Sequence, residues 1–205
     1  MVKIAVLVSG GGTNLQALID AEKRGELGQG RLTFCVASND KAYALTRAQS
    51  HGIKTAVVSK RAYDDSNAYA QALLEAMQSA DIELIILAGF LTILPTAVIT
   101  AYRDRIINVH PSLIPSFCGE GFYGLKVHEA ALAYGVKVTG ATVHLVSEVV
   151  DGGKILLQKA VDVLPGDTPE TLQRRVMQEA EWLILPRAAA LLCEEIAQEK
   201  ETNNR

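Results

Sequence analysis

Short apolar runs alternate with longer amphipathic stretches through the first half of the chain. The runs contain no regular polar alternation, as is typical of strands buried on both faces. They predict strands at 4–8, 32–37, 55–58, 84–88 and 106–109. Helical spacing of apolar residues between them predicts helices from about residue 15 and over 42–49, 64–80 and 95–102. Residues 1–110 are therefore predicted to form an open, doubly wound, mostly parallel α/β sheet.

The second half of the chain follows a different pattern. Residues 110–125 lack periodicity and predict a long ordered loop, followed by a helix over 126–134. Two alternating segments, 139–146 and 155–161, predict an antiparallel pair that extends the sheet. Thr168 and Pro169 have the order of a cap and a first helical residue, so they predict the start of a terminal helix that Pro186 interrupts. The polar tail, 198–205, is expected to fray, and residues 1–205 are expected to form a single domain.

Composition narrows the possible functions. The chain has 205 residues, 49% apolar and 21% charged, with a formal net charge of −3, which argues against a phosphate-neutralising nucleic-acid surface. Its three cysteines have no paired spacing, so neither a disulfide framework nor a metal site is expected. No run has the length of a membrane span or the order of a signal peptide, so a soluble, cytoplasmic protein is expected.

The first strand runs into a glycine-rich loop, Ser9-Gly10-Gly11-Gly12, before the first helix, for which Thr13 or Asn14 is the expected N-cap. Glycines allow backbone N–H groups to approach an anion closely, and the helix start adds unpaired donors. The spacing matches neither the dinucleotide fingerprint nor the nucleoside-triphosphate loop. A phosphate site is favoured slightly over the alternative, a tight structural turn.

A second polar group lies at the end of the fifth predicted strand. Asn108 and His110 are two residues apart, so their side chains leave the same face, at the edge where doubly wound sheets bind ligands. An amide donor beside an imidazole suits acyl transfer, because both can stabilise a developing oxyanion. Asp151, in an Asp-Gly-Gly turn, would orient His110 and favour its charged form if it folded back. A simple turn explains Asp151 equally well. His144 is interpreted as a packed or hydrogen-bonded histidine.

Taken together, several segments resemble the glycinamide ribonucleotide formyltransferase family. They are Val6–Gln16 with its Gly-Gly-Gly-Thr-Asn loop, Leu87-Ala88-Gly89-Phe90, Asn108-Val109-His110-Pro111-Ser112-Leu113-Ile114-Pro115 and Val150-Asp151-Gly152-Gly153. The run His-Pro-Ser-Leu-aliphatic-Pro is shared by folate-dependent formyl transferases, while the glycine loop and the chain length indicate this branch. The likeness extends from the first strand to the terminal helix.

The resemblance implies a reaction and its residues. The formyl donor would be 10-formyltetrahydrofolate and the acceptor glycinamide ribonucleotide, with no metal, no nucleic acid and no membrane, in a monomer or homodimer. The catalytic trio would be Asn108, His110 and Asp151. The acceptor would be bound by Gly11, Gly12, Thr13, Asn14 and Glu181, with the phosphate-binding half at 1–110 and the folate-side half and terminal helix at 111–205. The donor would lie against Phe90, Leu91, Thr92, Ile93, Leu94, Val146, Ser147 and Glu148.

The chain also departs from the family at two basic positions. Thr92 stands where many members have an arginine near the folate. Ser66 stands where some have an arginine that reaches the substrate, and Lys60 or Arg61 is a candidate to replace it. The loop at 116–125 differs from the shorter, histidine-containing loop of some relatives.

Three other functions fit parts of the sequence. A methionyl-tRNA formyltransferase shares the His-Pro-Ser-Leu run but normally has a further domain and a basic surface. A formyltetrahydrofolate hydrolase generally has an added N-terminal domain. A non-catalytic nucleotide-binding module is the third alternative, and the complete trio argues against it.

Overall fold

The computed structural model describes residues 1–203, which contain one seven-stranded sheet in the order β3-β2-β1-β4-β5-β6-β7. The strands are β1 (Val2–Val8), β2 (Gly30–Ala37), β3 (Lys54–Val57), β4 (Leu84–Leu87), β5 (Ile106–His110), β6 (Val138–Leu145) and β7 (Ile155–Asp162). The helices are α1 (Thr13–Lys23), α2 (Ala44–Ser50), α3 (Ser66–Ser79), α4 (Thr96–Ala101), α5 (Leu125–Tyr134), α6 (Pro169–Val176) and α7 (Trp182–Asn203). A short 3-10 turn, Lys60–Ala62, and a π-helical turn, Met177–Glu181, complete the chain's elements.

The parallel part of the sheet confirms the predicted α/β architecture. Strands β1 to β5 pair in parallel, and their apolar residues pack against helices on both faces. Helices α1, α2, α6 and α7 contribute to the core on one face, and α3 and α4 to the core on the other. Because β1 lies between β2 and β4, the order of strands reverses there, and doubly wound sheets commonly bind ligands beyond the carboxyl ends of strands at such a point.

The predicted antiparallel extension is also present, and it fixes the register of the polar strand ends. Strand β6 pairs with β5 and β7 pairs with β6, both antiparallel. In that register Asn108 lies opposite His144, and His110 lies opposite Thr142. A histidine of β6 therefore stands beside the amide at the end of β5.

Two helix predictions need correction. The N-cap of α1 is Gly12 in a left-handed conformation, instead of Thr13 or Asn14, and no side chain caps this end. The polar tail is helical as far as Asn203, because α7 continues to that residue, and residues 204–205 of the expected frayed tail lie outside the described part.

The terminal helix begins as predicted, but its irregularity is not at Pro186. Thr168 caps α6 with its side chain and Pro169 is the first helical residue. Pro186 lies inside α7, as its fifth residue, where its missing N–H costs only the bond to the carbonyl of the helix's first residue. Buried Leu185 and Ala189 hold this segment on the core, and the irregular turn is the π-helical one that ends at Glu181.

No helix among residues 1–203 combines the length and the apolar character needed to cross a bilayer.

Candidate active site

A cleft of about 780 Å³ opens beyond the carboxyl ends of β4 and β5. It brings together residues that are far apart in sequence, from the loop after β4, the end of β5, the loop before α5 and the loop between β6 and β7. All eleven residues predicted for the catalytic trio and the donor site line it: Asn108, His110, Asp151, Phe90, Leu91, Thr92, Ile93, Leu94, Val146, Ser147 and Glu148.

The trio meets at one end of this cleft. Asp151 folds back so that its Oδ2 lies 3.5 Å from His110 Nδ1, and its Oδ1 lies 3.5 Å from Asn108 Nδ2. His110 is 5% exposed and Asp151 has a side chain that is 9% exposed, so this carboxylate–imidazole contact is shielded from water. Low exposure strengthens the interaction between opposite charges.

The loop before α5 completes the contacts of the trio through its backbone. His110 Nε2 is 2.9 Å from the carbonyl oxygen of Phe117, which can only accept, so Nε2 carries a hydrogen. Its other nitrogen faces a carboxylate, so a doubly protonated ring satisfies both neighbours. The N–H of Gly119 donates to Asp151 Oδ2 at 2.9 Å. Sequence reasoning missed both backbone groups, because backbone directions in an aperiodic loop leave no pattern.

The environment of Asp151 favours its ionised form. Burial raises the pKa of this carboxyl group, but the hydrogen bond from His144, the N–H of Gly119 and the charge of His110 together outweigh burial and lower the pKa. Asp151 is therefore an anion at neutral pH, placed to hold a positive imidazole.

Local backbone geometry explains why Asp151 reaches the site. Its φ is 54°, in the left-handed region that aspartate and asparagine tolerate better than most residues. A Cβ on Gly153 would lie 1.7 Å from the Leu145 carbonyl oxygen, so only glycine lets the loop press against the end of β6. The Asp-Gly-Gly sequence thus returns the chain sharply enough to place the carboxylate beside β5.

His144 is buried and hydrogen-bonded, as predicted, and it also belongs to the same cluster as the trio. Its Nδ1 donates to the carbonyl of Leu145 at 2.9 Å, which leaves Nε2 to face Asn108 Nδ2 at 3.2 Å and Asp151 Oδ1 at 3.5 Å. Residue 144 therefore helps to orient the Asn108 amide. The signal that could have found it is the antiparallel pairing of β5 with β6, which sets Asn108 opposite His144.

Part of the cleft wall is apolar and exposed. Leu91 is 63% exposed, Ile93 65% and Val149 68%, and all three line this cleft. Large, exposed apolar side chains that line one cleft indicate a surface that binds a ligand or a partner. Phe90 and Val146 lie below them, packed against the core. The cleft therefore combines an exposed apolar wall with the polar groups of Asn108 and His110.

The predicted acceptor residues form a separate group around the start of α1. Gly11 is exposed, and a Cβ at this position would meet nothing within 4 Å. The space beside this part of the loop is therefore open. Gly12 is different: its φ is 73° and a Cβ would lie 2.6 Å from that of Ala44, so glycine is required for the fold itself. Neither cleft described in this subsection is lined by these two glycines.

Asn14 and Glu181 join the beginning and the end of the chain. Asn14 Nδ2 donates to Glu181 Oε2 at 2.6 Å in a buried contact, and Asn14 Oδ1 has no hydrogen-bond partner among residues 1–203. Glu181 is 6% exposed, and burial raises its pKa to about 7 although the Asn14 hydrogen bond lowers it. π-helical turns often occur at functional sites, and this acid ends one.

The raised pKa of Glu181 predicts a pH-dependent cost to stability. In the unfolded chain the carboxyl group has its ordinary pKa of 4.5, so the folded state binds its proton more tightly. The cost of burying the ionised form is absent below about pH 4.5 and complete above the folded pKa of about 7. Glu181→Gln should therefore raise the free energy of unfolding by roughly 1–3 kcal/mol near pH 8 and change it little near pH 4.5.

Urea unfolding at both pH values measures this difference. Glu179→Gln is the matched control, because Glu179 is exposed on the same π-helical turn. A gain for Glu181→Gln that is equal at the two pH values would show that ionisation of Glu181 carries no such cost.

A second cleft, of about 1140 Å³, adjoins the first and shares Leu91, Thr92 and Ile93 with it. Lys60 and Arg61, both exposed on the 3-10 turn after β3, line this second cleft. The two candidates to replace the arginine absent at Ser66 thus lie on a surface continuous with the apolar wall of the first cleft.

Comparison with known proteins gives consistent matches over most of the chain. A family model described as "Formyl transferase" matches residues 2–189. The crystal structure of glycinamide ribonucleotide transformylase 1 from Symbiobacterium toebii is similar with a TM-score of 0.89 and 42% identity, covering 95% of this chain and 89% of that one.

Two relatives illustrate the range of chain lengths. The chloroplastic phosphoribosylglycinamide formyltransferase of Vigna unguiculata is 37% identical over 193 residues, which cover 94% of this chain but only 61% of that protein. The phosphoribosylglycinamide formyltransferase of Haemophilus influenzae is 37% identical over 186 residues, which cover 91% of this chain and 84% of the relative. This chain therefore spans less than two thirds of the plant protein and most of the bacterial one.

Proposed function

Because this chain belongs to the formyl transferase family, on its phosphoribosylglycinamide formyltransferase branch, we propose that it formylates glycinamide ribonucleotide. The donor is 10-formyltetrahydrofolate, and the products are N-formylglycinamide ribonucleotide and tetrahydrofolate, a step of purine (IMP) synthesis. The observation that carries this proposal is the convergence of Asn108, His110 and Asp151 in a cleft that is also lined by exposed apolar side chains.

In the proposed reaction the formyl group passes directly between two bound substrates. The uncharged amine of the acceptor forms a bond to the formyl carbon, and negative charge grows on the formyl oxygen. The bond from that carbon to N10 of the folate then breaks, and a proton lost by the amine is delivered to N10 through water. Holding both substrates together makes the reaction effectively unimolecular, which supplies a large part of the rate.

The trio acts on the charge that develops during this attack. The Asn108 amide donates one N–H to the formyl oxygen once the substrate is bound, in place of its 3.5 Å contact with Asp151. His110 donates to the same oxygen once its Nε2 exchanges the Phe117 carbonyl for the substrate. Asp151 remains an anion and stabilises the positive ring throughout. Fixed donors aimed at a developing oxyanion often account for the largest share of catalysis.

Each substrate has its own surface in this proposal. The pterin of the donor packs on Leu91, Ile93 and Val146, while the acceptor phosphate meets the glycine loop at the start of α1. Glu181 accepts hydrogen bonds from the ribose hydroxyls, which offsets the cost of burying its charge. Both halves of the chain contribute to both surfaces, and we propose that residues 1–205 act as one catalytic domain.

Lys60 and Arg61 are proposed to attract the carboxylates at the tail of the donor. Replacing both with alanine (Lys60→Ala with Arg61→Ala) is expected to raise KM for 10-formyltetrahydrofolate by about two- to tenfold and to leave kcat nearly unchanged, because exposed charges contribute modestly. Steady-state kinetics at low and high salt measures the effect, which should shrink as salt rises.

Lys23→Ala with Arg24→Ala is the matched control, since this basic pair is exposed at the end of α1 and lies on neither cleft. An equal rise in KM for the two double variants would mean that the effect reflects net charge and that the second cleft has no part in donor binding.

A panel of acceptors tests the proposed function. Tetrahydrofolate release from 10-formyltetrahydrofolate is followed by absorbance with no acceptor, glycinamide ribonucleotide, methionyl-tRNA or free glycine. Rapid turnover is expected with glycinamide ribonucleotide alone. Turnover without acceptor would favour a hydrolase, turnover with the charged tRNA alone would favour the translation enzyme, and equal turnover with glycine would remove the phosphate site from the proposal.

A further inference from the structure

Helix α2 donates hydrogen bonds to the carbonyl groups of the glycine loop. The carbonyl oxygen of Gly10 accepts from the N–H of Ala44 at 3.1 Å, and that of Gly11 accepts from Arg47 Nε at 2.9 Å. The carbonyl of Gly12 accepts the first helical bond of α1, from Gln16, at 2.9 Å. Three successive carbonyl groups of the loop are therefore occupied.

This arrangement determines where the N–H groups of the loop point. In a planar trans peptide the C=O and the N–H point in opposite directions, so fixing a carbonyl also aims the next residue's N–H away from the donor. The N–H groups of Gly11 and Gly12 are thus aimed away from α2, and that of Thr13 away from the body of α1. Within residues 1–203 none of these three N–H groups has an acceptor.

Arg47 is the side chain that holds the Gly11 carbonyl. Its Nη1 also donates to Gln16 Oε1 at 3.0 Å, and its guanidinium lies 5.2 Å from the centre of the Tyr43 ring. These contacts with α1 and with Tyr43 restrict the long side chain to one position. Arg47 binds the carbonyl of the same peptide group that carries the Gly12 N–H. Its positive charge therefore lies near the loop amides and adds to the favourable potential for an anion.

We propose that Arg47 is a positioning residue for the phosphate of the acceptor: it orients the Gly11–Gly12 peptide so that consecutive amides converge on a phosphomonoester. The identity of this anion rests on the proposed function. Arg47 itself acts through Gly11 and does not take part in formyl transfer, so its loss affects binding of the phosphorylated substrate and leaves the trio intact.

Inorganic phosphate provides a test that needs no formyl transfer. In a titration of the wild-type protein followed by ¹H–¹⁵N NMR, the amides of Gly11, Gly12 and Thr13 should shift in a saturable way. Arg47→Met keeps most of the side-chain stem but removes the donors and the charge, and is expected to weaken phosphate binding by about tenfold, the size expected for a hydrogen bond to a charged group. KM for glycinamide ribonucleotide should rise by a similar factor, while KM for the donor and kcat stay close to wild type.

Two further variants make the result decisive. Arg31→Met removes the same residue type from an exposed position on β2 and should bind phosphate as the wild type does. Arg47→Lys retains a charge and a donor and should recover part of the affinity, and it replaces Arg47→Met if that variant fails to fold. Wild-type phosphate affinity in Arg47→Met, an equal rise in both KM values, or loop amides that ignore phosphate in the wild type would each overturn the inference. The two proposals can fail separately. If the wild type transfers no formyl group, but Arg47→Met binds phosphate more weakly than the wild type does, the proposed function fails and the role of Arg47 stands.

Discussion

Asn108→Ala is expected to lower kcat by about 10²–10³-fold, the usual cost of losing one oxyanion donor, with little change in either KM. The Asn108 side chain makes few structural contacts. It lies half-buried at the end of β5 and contacts His144 and Asp151. Asn108 lines the cleft, where its amide is proposed to meet a charge that exists only as the amine attacks. Single-turnover rates measured beside equilibrium binding of both substrates separate the two effects.

Asn67→Ala is the matched control for this change, because Asn67 is exposed in the first turn of α3 and lines neither cleft. It should have wild-type kinetics. An Asn108→Ala protein with an unchanged single-turnover rate and weakened substrate binding would reassign Asn108 to ground-state recognition.

Asp151→Asn is expected to lower kcat by about 100-fold or more, because it removes the negative partner of a buried imidazole while keeping the shape of the side chain. The carboxylate contacts His110 and His144 and accepts the N–H of Gly119. An amide at this position cannot accept from all three, and its own N–H₂ group would face a ring nitrogen as a second donor. Rate measurements across pH should show the loss from mildly acidic to mildly basic solution, because the lowered pKa of the wild-type carboxyl keeps it ionised over that whole range.

Asp104→Asn is a close control for the backbone. Asp104 has a φ of 58°, against 54° for Asp151, so the two positions place the same conformational demand on asparagine. Asp104 is exposed and lies outside both clefts, so its variant should have wild-type activity. Equal activity losses in the two variants, or none in Asp151→Asn, would remove Asp151 from the electrostatics of the site.

Much of this fold is predictable because its strands are apolar on both faces. The strands predicted at 4–8 and 84–88 nearly coincide with β1 and β4. These two strands are neighbours in the middle of the sheet, and almost all of their residues are inaccessible to solvent. A strand buried on both sides needs an unbroken apolar run, so its sequence pattern is strong. The end of β5 is predictable for a related reason, since residues two apart leave one face of any strand.

What sequence reasoning missed depends on register and on the backbone. His144 joins the cluster only because β6 pairs with β5 in a particular register, and local sequence does not specify that register. The Phe117 carbonyl and the Gly119 N–H are groups that every residue has, so their roles depend entirely on the path of the loop. The π-helical turn before Trp182 is likewise a consequence of packing the terminal helix, which the position of Pro186 alone did not locate.

The most direct test of the central claim follows the formyl carbon itself. 10-Formyltetrahydrofolate labelled with carbon-13 in its formyl group is incubated with the protein and glycinamide ribonucleotide, and the products are observed by carbon NMR. Direct transfer predicts that the label appears in N-formylglycinamide ribonucleotide, one equivalent for each tetrahydrofolate formed. Labelled formate that accumulates in step with tetrahydrofolate, while the ribonucleotide stays unchanged, would contradict it.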